Sequence, residues 1–407
     1  MRYFLLLILC PSLCLSQVPC RFLSQVFPVI SKSSNIVYAN APAIPAVYVN
    51  ENVTINQDQT MDIWFPVGDT MTKRPLILFV HGGGFISGSK DNDDMQYLAD
   101  TFAHYGYVTA SMNYRINLNA ASTSSVERAI WRATQDGSAA IRFLKHSANT
   151  YGIDTNRIFL WGSSAGTFLG LSLLYCSDQE RPSSANSGFL QPDLGCKDCI
   201  GNSYNHSGLP DALVGCWGAI ADTSLIAVNE YRPSILFHGD IDPVVPFSEG
   251  YPFSALFTAP WVYGSQRIDQ RLSHLNLSHE FYVGLNQLHE YWGVVNGVFP
   301  PGPVTDPDYQ DIIQKSAVFL YSVMGSPNCG NAVGLTESVS ENTKAYFTGN
   351  TLRVHSKENL PLEVYSMEGE TIVKSYIQKG ISTINFPFPS GLYCITIGDK
   401  KLKIINP

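Results

Sequence analysis

Hydrophobic residues follow two alternating patterns between Met61 and Tyr321. Short continuous apolar runs, such as residues 76–80, are typical of strands buried on both faces of a sheet. Longer segments, such as residues 126–144, place apolar residues three or four positions apart, which favours helices with one buried face. The predicted strands are residues 61–65, 76–80, 107–112, 158–161, 214–220, 234–237 and 280–283, and the predicted helices are residues 93–104, 126–144, 167–175, 268–275 and 312–320. This alternation predicts an α/β fold with a mostly parallel sheet flanked by helices.

Three other regions show different patterns. Residues 35–66 alternate short β-like runs with turns, and residues 177–210, rich in Ser, Gly, Asn and Pro, are expected to form a long loop or cap insertion. Residues 346–407 alternate apolar and polar positions with glycines between the runs, which predicts a small antiparallel β-sandwich. We therefore expect a first domain over residues 17–325, a linker over residues 326–345 and an all-β domain over residues 346–407.

The N-terminus has the pattern of a secretory signal peptide over residues 1–16, with Arg2, an apolar stretch and small residues before Gln17. Export would permit disulfides. Two of the nine cysteines fall in this segment, which leaves seven. Four of these lie in or beside the loop at residues 177–210, namely Cys176, Cys196, Cys199 and Cys216. Disulfides, a zinc site and free thiols remain open there, although the loop context favours disulfides.

Composition narrows the classes of partner. The chain has 407 residues, 45% of them hydrophobic, which is enough for a sizeable core. Its formal net charge of −8 argues against nucleic acid or an anionic membrane surface as a partner. No apolar run of membrane-spanning length follows the N-terminal segment, so no transmembrane helix is expected.

The candidate chemistry centres on residues 162–166, Gly-Ser-Ser-Ala-Gly, which lie between a predicted strand and a predicted helix. In this context the Gly-x-Ser-x-Gly pattern predicts a sharp turn that presents the hydroxyl of Ser164 at a helix N-terminus. Glycines at both ends of the turn would avoid clashes with neighbouring backbone. Taken alone, the pattern also fits a Ser/Gly turn without function.

A second motif, His81-Gly82-Gly83-Gly84-Phe85, directly follows the strand predicted at residues 76–80. Glycines let the backbone approach a substrate closely, so the N–H groups of Gly83 and Gly84 are predicted to form an oxyanion hole with that of Ala165. An ordinary loop or a phosphate-binding loop would be the alternatives. A phosphate loop normally carries Gly-Lys-Ser/Thr, which is missing here.

A serine nucleophile requires a base and an acid that orients it, in the order Ser, acid, His along such a chain. Asp240 and Asp242 both follow the strand at residues 234–237, at an edge where parallel sheets place functional groups. His289 lies in the loop after the last strand, from which an imidazole can reach Ser164. His274, on a predicted helix, and His279, at a strand start, are less suited.

Together these residues resemble the α/β-hydrolase superfamily, and residues 61–321 resemble its carboxylesterase, lipase and feruloyl or acetyl esterase branch with an HGGG oxyanion loop. The matching segments are residues 81–85, 113–115, 136, 151–154, 162–166 and 238–246. The resemblance places the acid fifth in the motif that begins at His238, which selects Asp242. Tyr114, Arg115 and Asp136 are expected to be structural. The chain departs from the family pattern at Leu288, where relatives commonly have Gly before the catalytic His.

The expected activity is that of a secreted serine carboxylic-ester hydrolase. Ser164 would attack an ester carbonyl, His289 would transfer protons and Asp242 would orient His289, with no metal or organic cofactor. A small-molecule or polysaccharide-linked ester, such as an acetyl or feruloyl ester, is the expected substrate. The alternatives are a lipase or polyester hydrolase, a peptidase like prolyl oligopeptidase, and a non-catalytic adhesion protein on a hydrolase fold.

The tail, residues 352–407, resembles the C-terminal sorting domain of the Bacteroidetes type IX secretion system. The matching features are residues 364–369, residues 390–393 and the lysine-containing segment 401–404. The resemblance implies secretion machinery as a partner, and export to the cell surface or the medium. A carbohydrate-binding or adhesion module is the alternative.

Overall fold

The computed structural model describes residues 20–46, 51–253, 258–292, 307–325, 343–348, 351–365, 371–386, 391–398 and 400–406. The chain divides into two compact units, Met1–Cys329 and Gly330–Pro407. The expected signal peptide and residues 326–342 of the expected linker lie outside the described residues. Among the helices that are described, none combines the length and the apolar character that a membrane crossing requires.

Eleven strands are described in the first unit, and eight of them form one sheet. They are β1 (Ile30–Ala43), β2 (Ile55–Pro66), β3 (Arg74–Val80), β4 (Val108–Met112), β5 (Ile153–Ser163), β6 (Ala212–Cys216), β7 (Ala219–Ile220), β8 (Ser234–Gly239), β9 (Glu249–Gly250), β10 (Val262–Gly264) and β11 (His279–Gly284). The large sheet has the order β1-β2-β4-β3-β5-β6-β8-β11, and β7, β10 and β9 form a small sheet. In the large sheet β1 pairs antiparallel with β2, and β2 pairs antiparallel with β4. The remaining six strands, in the order β4-β3-β5-β6-β8-β11, run parallel to one another.

Helices cover both faces of this sheet. They are α1 (Asp93–His104), α2 (Thr123–His146), α3 (Ala148–Tyr151), α4 (Ala165–Tyr175), α5 (Ser265–His274) and α6 (Pro307–Val323). Alternate residues of β3 enter opposite cores: Leu76 and Leu78 belong to the cluster that includes residues of α2, α4 and α5, whereas Ile77 and Phe79 belong to the one that includes residues of α1 and α6. The continuous apolar run at residues 76–80 therefore has a buried environment on both sides.

The predicted alternation of strands and helices in this unit is confirmed, and α1 has the predicted bounds. The interpretation of residues 214–220 as one strand is wrong, because β6 ends at Cys216 and β7 belongs to the small sheet. Trp217 has a φ of 41°, and a Cβ atom on Gly218 would lie 2.3 Å from the Thr167 side chain. Close packing against α4 thus forces the chain out of the sheet at this point. In place of the short runs expected over residues 35–66, two long strands, β1 and β2, pair with each other.

The described residues of the C-terminal unit form strands, in agreement with the predicted small β domain. Its strands are β12 (Thr343–Thr348), β13 (Thr351–Ser356), β14 (Leu360–Tyr365), β15 (Thr371–Ile377), β16 (Gly380–Asn385), β17 (Gly391–Ile397) and β18 (Lys400–Asn406). They form two antiparallel sheets, β12-β13-β16 and β15-β14-β17-β18. Apolar residues from both sheets, including Val354 and Val364, form one core. β12 begins at Thr343, inside the expected linker.

Candidate active site

Ser164 lies in the turn between β5 and α4. Its φ of 50° and ψ of −113° are outside the regions that L-residues normally occupy. A Cβ atom on Gly162 would lie 2.4 Å from the carbonyl carbon of Gly166, and a Cβ atom on Gly166 would lie 2.1 Å from the carbonyl oxygen of Val80. Both glycines of the sequence pattern are therefore sterically required.

Hydrogen bonds anchor this turn to the neighbouring strand β6. The backbone N–H of Ser164 donates to the carbonyl of Cys216 at 3.0 Å. The hydroxyl of Thr167 donates to the carbonyl of Gly162 at 2.7 Å and accepts from the N–H of Cys216 at 3.0 Å. These groups are buried, where hydrogen bonds are strong and hold a single geometry.

The structure brings Ser164, His289 and Asp242 together. His289 Nε2 lies 3.0 Å from Ser164 Oγ, and His289 Nδ1 lies 2.6 Å from Asp242 Oδ2. Because a carboxylate only accepts, Nδ1 carries the proton and donates to Asp242. In the neutral imidazole the lone pair on Nε2 then faces the hydroxyl of Ser164, so the ring can accept its proton.

Asp242 is held by donors on both of its oxygens. Oδ1 accepts from the N–H groups of Val244 at 2.7 Å and Val245 at 2.9 Å. Oδ2 faces His289 and also His238 Nε2, at 3.2 Å. Burial by itself would raise the pKa of Asp242, but the hydrogen bonds from His238 and His289 outweigh burial and hold that pKa well below its usual range. The carboxylate is therefore ionised at neutral pH.

The other candidates for the acid and the base have different partners. Asp240 Oδ1 accepts from the N–H of Asn286 at 2.6 Å, which connects the two loops that follow β8 and β11. His279 contacts Asp269 at 2.9 Å through Nε2, and His274 is exposed at the end of α5. None of these three groups is hydrogen-bonded to Ser164.

The glycine loop after β3 turns sharply. Gly83, Gly84 and Phe85 have φ values of 110°, 60° and 61°, in the region that favours glycine. A Cβ atom on Gly83 would lie 2.2 Å from the carbonyl oxygen of Ser87, so this position requires glycine.

This loop runs beside Ser164. A Cβ atom on Gly82 would lie 3.3 Å from Cβ of Ser164. Within the described part of the chain, the N–H groups of Gly83, Gly84 and Ala165 donate to no other residue. Unpartnered amide groups next to a hydroxyl are suited to bind a negative oxygen.

His81 fixes the base of the glycine loop. Its Nδ1–H donates to the carbonyl of Gly82 at 2.6 Å, and its ring stacks on Tyr114 at 4.2 Å between centroids. Burial lowers the pKa of His81 to about 4, so the ring is neutral at neutral pH.

Of the motif residues that were expected to be structural, Arg115 and Asp136 form a buried ion pair, whereas Tyr114 stacks on His81. Arg115 Nε donates to Asp136 Oδ1 at 2.9 Å, and the Arg115 backbone N–H donates to Asp136 Oδ2 at 2.7 Å. This pair connects the chain after β4 to the middle of α2.

The loop expected at residues 177–210 is present, with one short 3₁₀ turn. Cys196 and Cys199 form a disulfide within it, whereas Cys176 and Cys216 are buried free thiols. Of the alternatives that the sequence left open, the structure therefore has a disulfide at this pair.

Sequence reasoning did not assign three residues near the site. His238 contacts Asp242, the carboxylate of Glu290 approaches Gly82, and the ring of Phe253 lies 3.8 Å from the place of a Cβ atom on Gly84. His238 stands in the same sequence motif as Asp242, so the sequence indicated that the two residues lie near each other. Glu290 and Phe253 had none.

Comparisons with known proteins find similarity to esterases. Residues 61–197 match the BD-FAE family model. Gut esterase 1 of Caenorhabditis elegans is 33% identical over 97 residues, which cover 23% of this chain and 17% of that protein. Acetylcholinesterase of Danio rerio is 26% identical over 321 residues, which cover 74% of this chain and 48% of that protein. The chain thus spans less than half the length of these relatives.

The large sheet is mostly parallel and has helices on both faces, which is the architecture of an α/β hydrolase. The solved structure of Thermogutta terrifontis esterase 2 phosphorylated by paraoxon aligns with 74% of this chain and 98% of that chain, at 18% identity and a TM-score of 0.49. The predicted fold class, an α/β-hydrolase fold followed by a small all-β domain, is confirmed. The family and esterase matches support placement in the hydrolase superfamily.

Proposed function

We propose that the protein is a serine carboxylic-ester hydrolase that acts through an acyl-enzyme, with Ser164, His289 and Asp242 as its triad. The observation that carries the proposal is the unbroken hydrogen-bond chain from Ser164 Oγ through His289 to Asp242 Oδ2, with distances of 3.0 Å and 2.6 Å. The esterase relatives support the same activity.

In the proposed reaction Ser164 Oγ attacks the ester carbonyl carbon while His289 Nε2 takes the hydroxyl proton. The tetrahedral intermediate collapses, the bond to the alcohol oxygen breaks, and His289 returns the proton to the leaving alcohol. Water then repeats the sequence on the acyl-enzyme and releases the acid. Asp242 keeps Nδ1 protonated throughout and stabilises the imidazolium.

The oxyanion of each tetrahedral intermediate would accept hydrogen bonds from the N–H groups of Gly83, Gly84 and Ala165. One such donor typically contributes about 3 kcal/mol to transition-state stabilisation. All parts of this reaction come from protein side chains and amides, so the proposal includes no metal and no organic cofactor.

We infer a small-molecule or polysaccharide-linked ester as the substrate, with acetyl and feruloyl esters as the first candidates. Lipids and polyesters are the competing classes, and Secreted lipase 5 of Gibberella zeae, 28% identical over 162 residues, keeps a lipid ester in consideration. A chain-length series of p-nitrophenyl esters together with acetylated xylan separates these classes.

Secretion is a further part of the proposal, with the N-terminal segment as signal and residues 346–407 as sorting domain. Expression of the full gene in a bacterium with type IX secretion should release protein that lacks residues 1–16. Deletion of residues 346–407 should then retain the protein inside the cell. Equal release of the full-length and shortened forms would contradict the sorting role.

Hydrolysis of p-nitrophenyl acetate tests the activity. Ser164→Ala should abolish turnover with an unchanged circular dichroism spectrum, and a fluorophosphonate probe should label the wild type at Ser164 and leave the variant unlabelled. Ser163→Ala is the matched control for labelling, because the Ser163 hydroxyl accepts from Trp217 Nε1 at 3.0 Å, whereas Ser164 Oγ is the hydroxyl that contacts His289. Retained turnover in Ser164→Ala would refute the proposal.

A further inference from the structure

A second histidine contacts the proposed triad acid. His238 lies near the end of β8, four residues before Asp242, and both side chains are fully buried. His238 Nε2 is 3.2 Å from Asp242 Oδ2, the oxygen that also accepts from His289 at 2.6 Å. Two imidazoles therefore share one carboxylate oxygen.

The surroundings of His238 determine which nitrogen donates. Nε2 faces two acceptors, Asp242 Oδ2 and the carbonyl of Val245 at 3.1 Å, so Nε2 carries a proton. Nδ1 lies 2.8 Å from Ser265 Oγ. In the neutral ring the hydroxyl of Ser265 donates to Nδ1, and this bond polarises the ring and strengthens Nε2–H as a donor.

We propose that His238 is a positioning residue for the ester hydrolysis: its Nε2–H orients Asp242 and withdraws negative charge from the oxygen that His289 uses. This inference rests on the proposed function. His238 lies on β8, which is paired on both sides with β6 and β11, so it is a rigid donor, whereas His289 lies in a loop and moves its proton during the reaction.

A defined change in pH dependence follows. Without the Nε2–H of His238, Asp242 Oδ2 presents more of its charge to His289, and protonation of His289 becomes easier. The acidic limb of kcat/KM against pH, which reports the essential base of the free enzyme, then moves to higher pH. The substitution does not change Glu290 and Tyr291, the other ionisable groups next to His289 in the chain. Among the described residues, Asp242 is the only charged group within hydrogen-bond distance of His238.

The experiment compares His238→Leu, which removes the donor, with His238→Gln, whose side-chain amide can donate from nearly the same place. His238→Leu should lower kcat for p-nitrophenyl acetate roughly tenfold, leave KM nearly unchanged, and move the acidic limb upward by about half a pH unit or more. His238→Gln should restore most of kcat and the wild-type limb. His279→Leu, which changes a histidine paired with Asp269 elsewhere, is the matched control and should alter neither.

Ser265→Ala provides a second test with a smaller change to the core. Loss of the hydroxyl at Nδ1 weakens Nε2–H as a donor, so the limb should move in the same direction by a smaller amount. Folded His238→Leu and Ser265→Ala proteins with wild-type limbs would overturn the proposal. Absence of Ser164-dependent turnover in the wild type would overturn both this proposal and the proposed function, whereas an active wild type with unmoved limbs in the variants overturns this one alone.

Discussion

The turn at residues 162–166, here called the elbow, carries Ser164, and two loops carry Asp242 and His289. The elbow and the loops are held in different ways. At the elbow the backbone has no spare room, since a Cβ atom on Gly162 or Gly166 would overlap neighbouring main chain. The two loops also approach closely at Gly239, where an added Cβ atom would lie 2.3 Å from the carbonyl oxygen of Gln287, but their side chains are held by polar contacts, such as the bond from the Asn286 N–H to Asp240 Oδ1. The elbow should therefore be sensitive to added volume, and the loops should be sensitive to exchanged donors and acceptors.

The largest effect is expected from Asp242→Asn, which exchanges an acceptor for a donor in the loops. An amide NH₂ group in the place of Oδ2 would face His289 Nδ1 and favour the tautomer whose Nε2–H points at Ser164. His289 could then no longer accept the proton of the Ser164 hydroxyl. We expect kcat to fall about 10⁴-fold, as in other triads with the wrong tautomer, and steady-state hydrolysis of p-nitrophenyl acetate measures it. Asp240→Asn, which keeps an oxygen for the Asn286 N–H, is the control. A larger loss in Asp240→Asn than in Asp242→Asn would reverse the assignment.

Gly166→Ala tests the elbow by added volume. The new methyl group would lie 2.1 Å from the carbonyl oxygen of Val80, and the central strand cannot move without disturbing the sheet. The free energy of unfolding should fall by about 4 kcal/mol or more, measured by urea denaturation. Gly68→Ala is the control, because Gly68 has a φ of 77° but no atom within 4 Å of the added Cβ, so only backbone strain of about 1 kcal/mol is added. Equal losses in the two variants would mean that elbow packing is not the constraint.

The same contrast explains what the sequence could predict. The inner strand β3 is continuously apolar over residues 76–80, and α1 has a regular helical spacing, so the local pattern is sufficient to predict both. The end of β6 at Cys216 was missed because it depends on contact between Gly218 and Thr167, which are distant in sequence. Spacing cannot reveal such a contact.

The candidate active site shows the same limit of prediction from local sequence patterns. The elbow motif points to Ser164 because its constraint is local in the chain. The choice of His289 required an argument from loop position, and that of Asp242 a family resemblance, since their contacts are made across loops. The shared motif indicated that His238 and Asp242 lie near each other, but their direct contact depends on how residues 239–246 turn back on β8.

Asp94 gives a test of intermediate size at the boundary between the core and the His289 loop. This carboxyl lies buried in the first turn of α1. Burial first, and then the charge of Glu290 in the His289 loop, raise the pKa of Asp94 to about 7. Between about pH 4, near the usual carboxyl pKa, and pH 7 the native protein keeps a proton that the unfolded chain has lost. The free energy of unfolding contributed by this group therefore falls as pH rises through that window.

Asp94→Asn should remove this dependence and stabilise the protein at pH 8 by on the order of 3 kcal/mol relative to the wild type, with little change at pH 4. Urea denaturation at the two pH values measures the difference. Asp93→Asn changes the exposed neighbour, whose charge is a smaller cause of the raised pKa of Asp94, and should reduce the slope only slightly. An identical slope in the wild type and Asp94→Asn would show that Asp94 does not carry the proton.

The smallest effect is expected at Phe253, which lies near the glycine loop at the edge of the candidate active site. The side chain is 56% exposed, and its Cζ lies 3.8 Å from the place of a Cβ atom on Gly84. Phe253→Ala would open space beside the proposed oxyanion hole without touching the triad. The ratio of kcat/KM for p-nitrophenyl butyrate over acetate should then rise roughly three- to ten-fold, within the range that one or two methylene contacts provide. Phe189→Ala, at a ring that is 92% exposed, should leave the ratio unchanged, and equal ratios in all three proteins would place the acyl group away from Phe253.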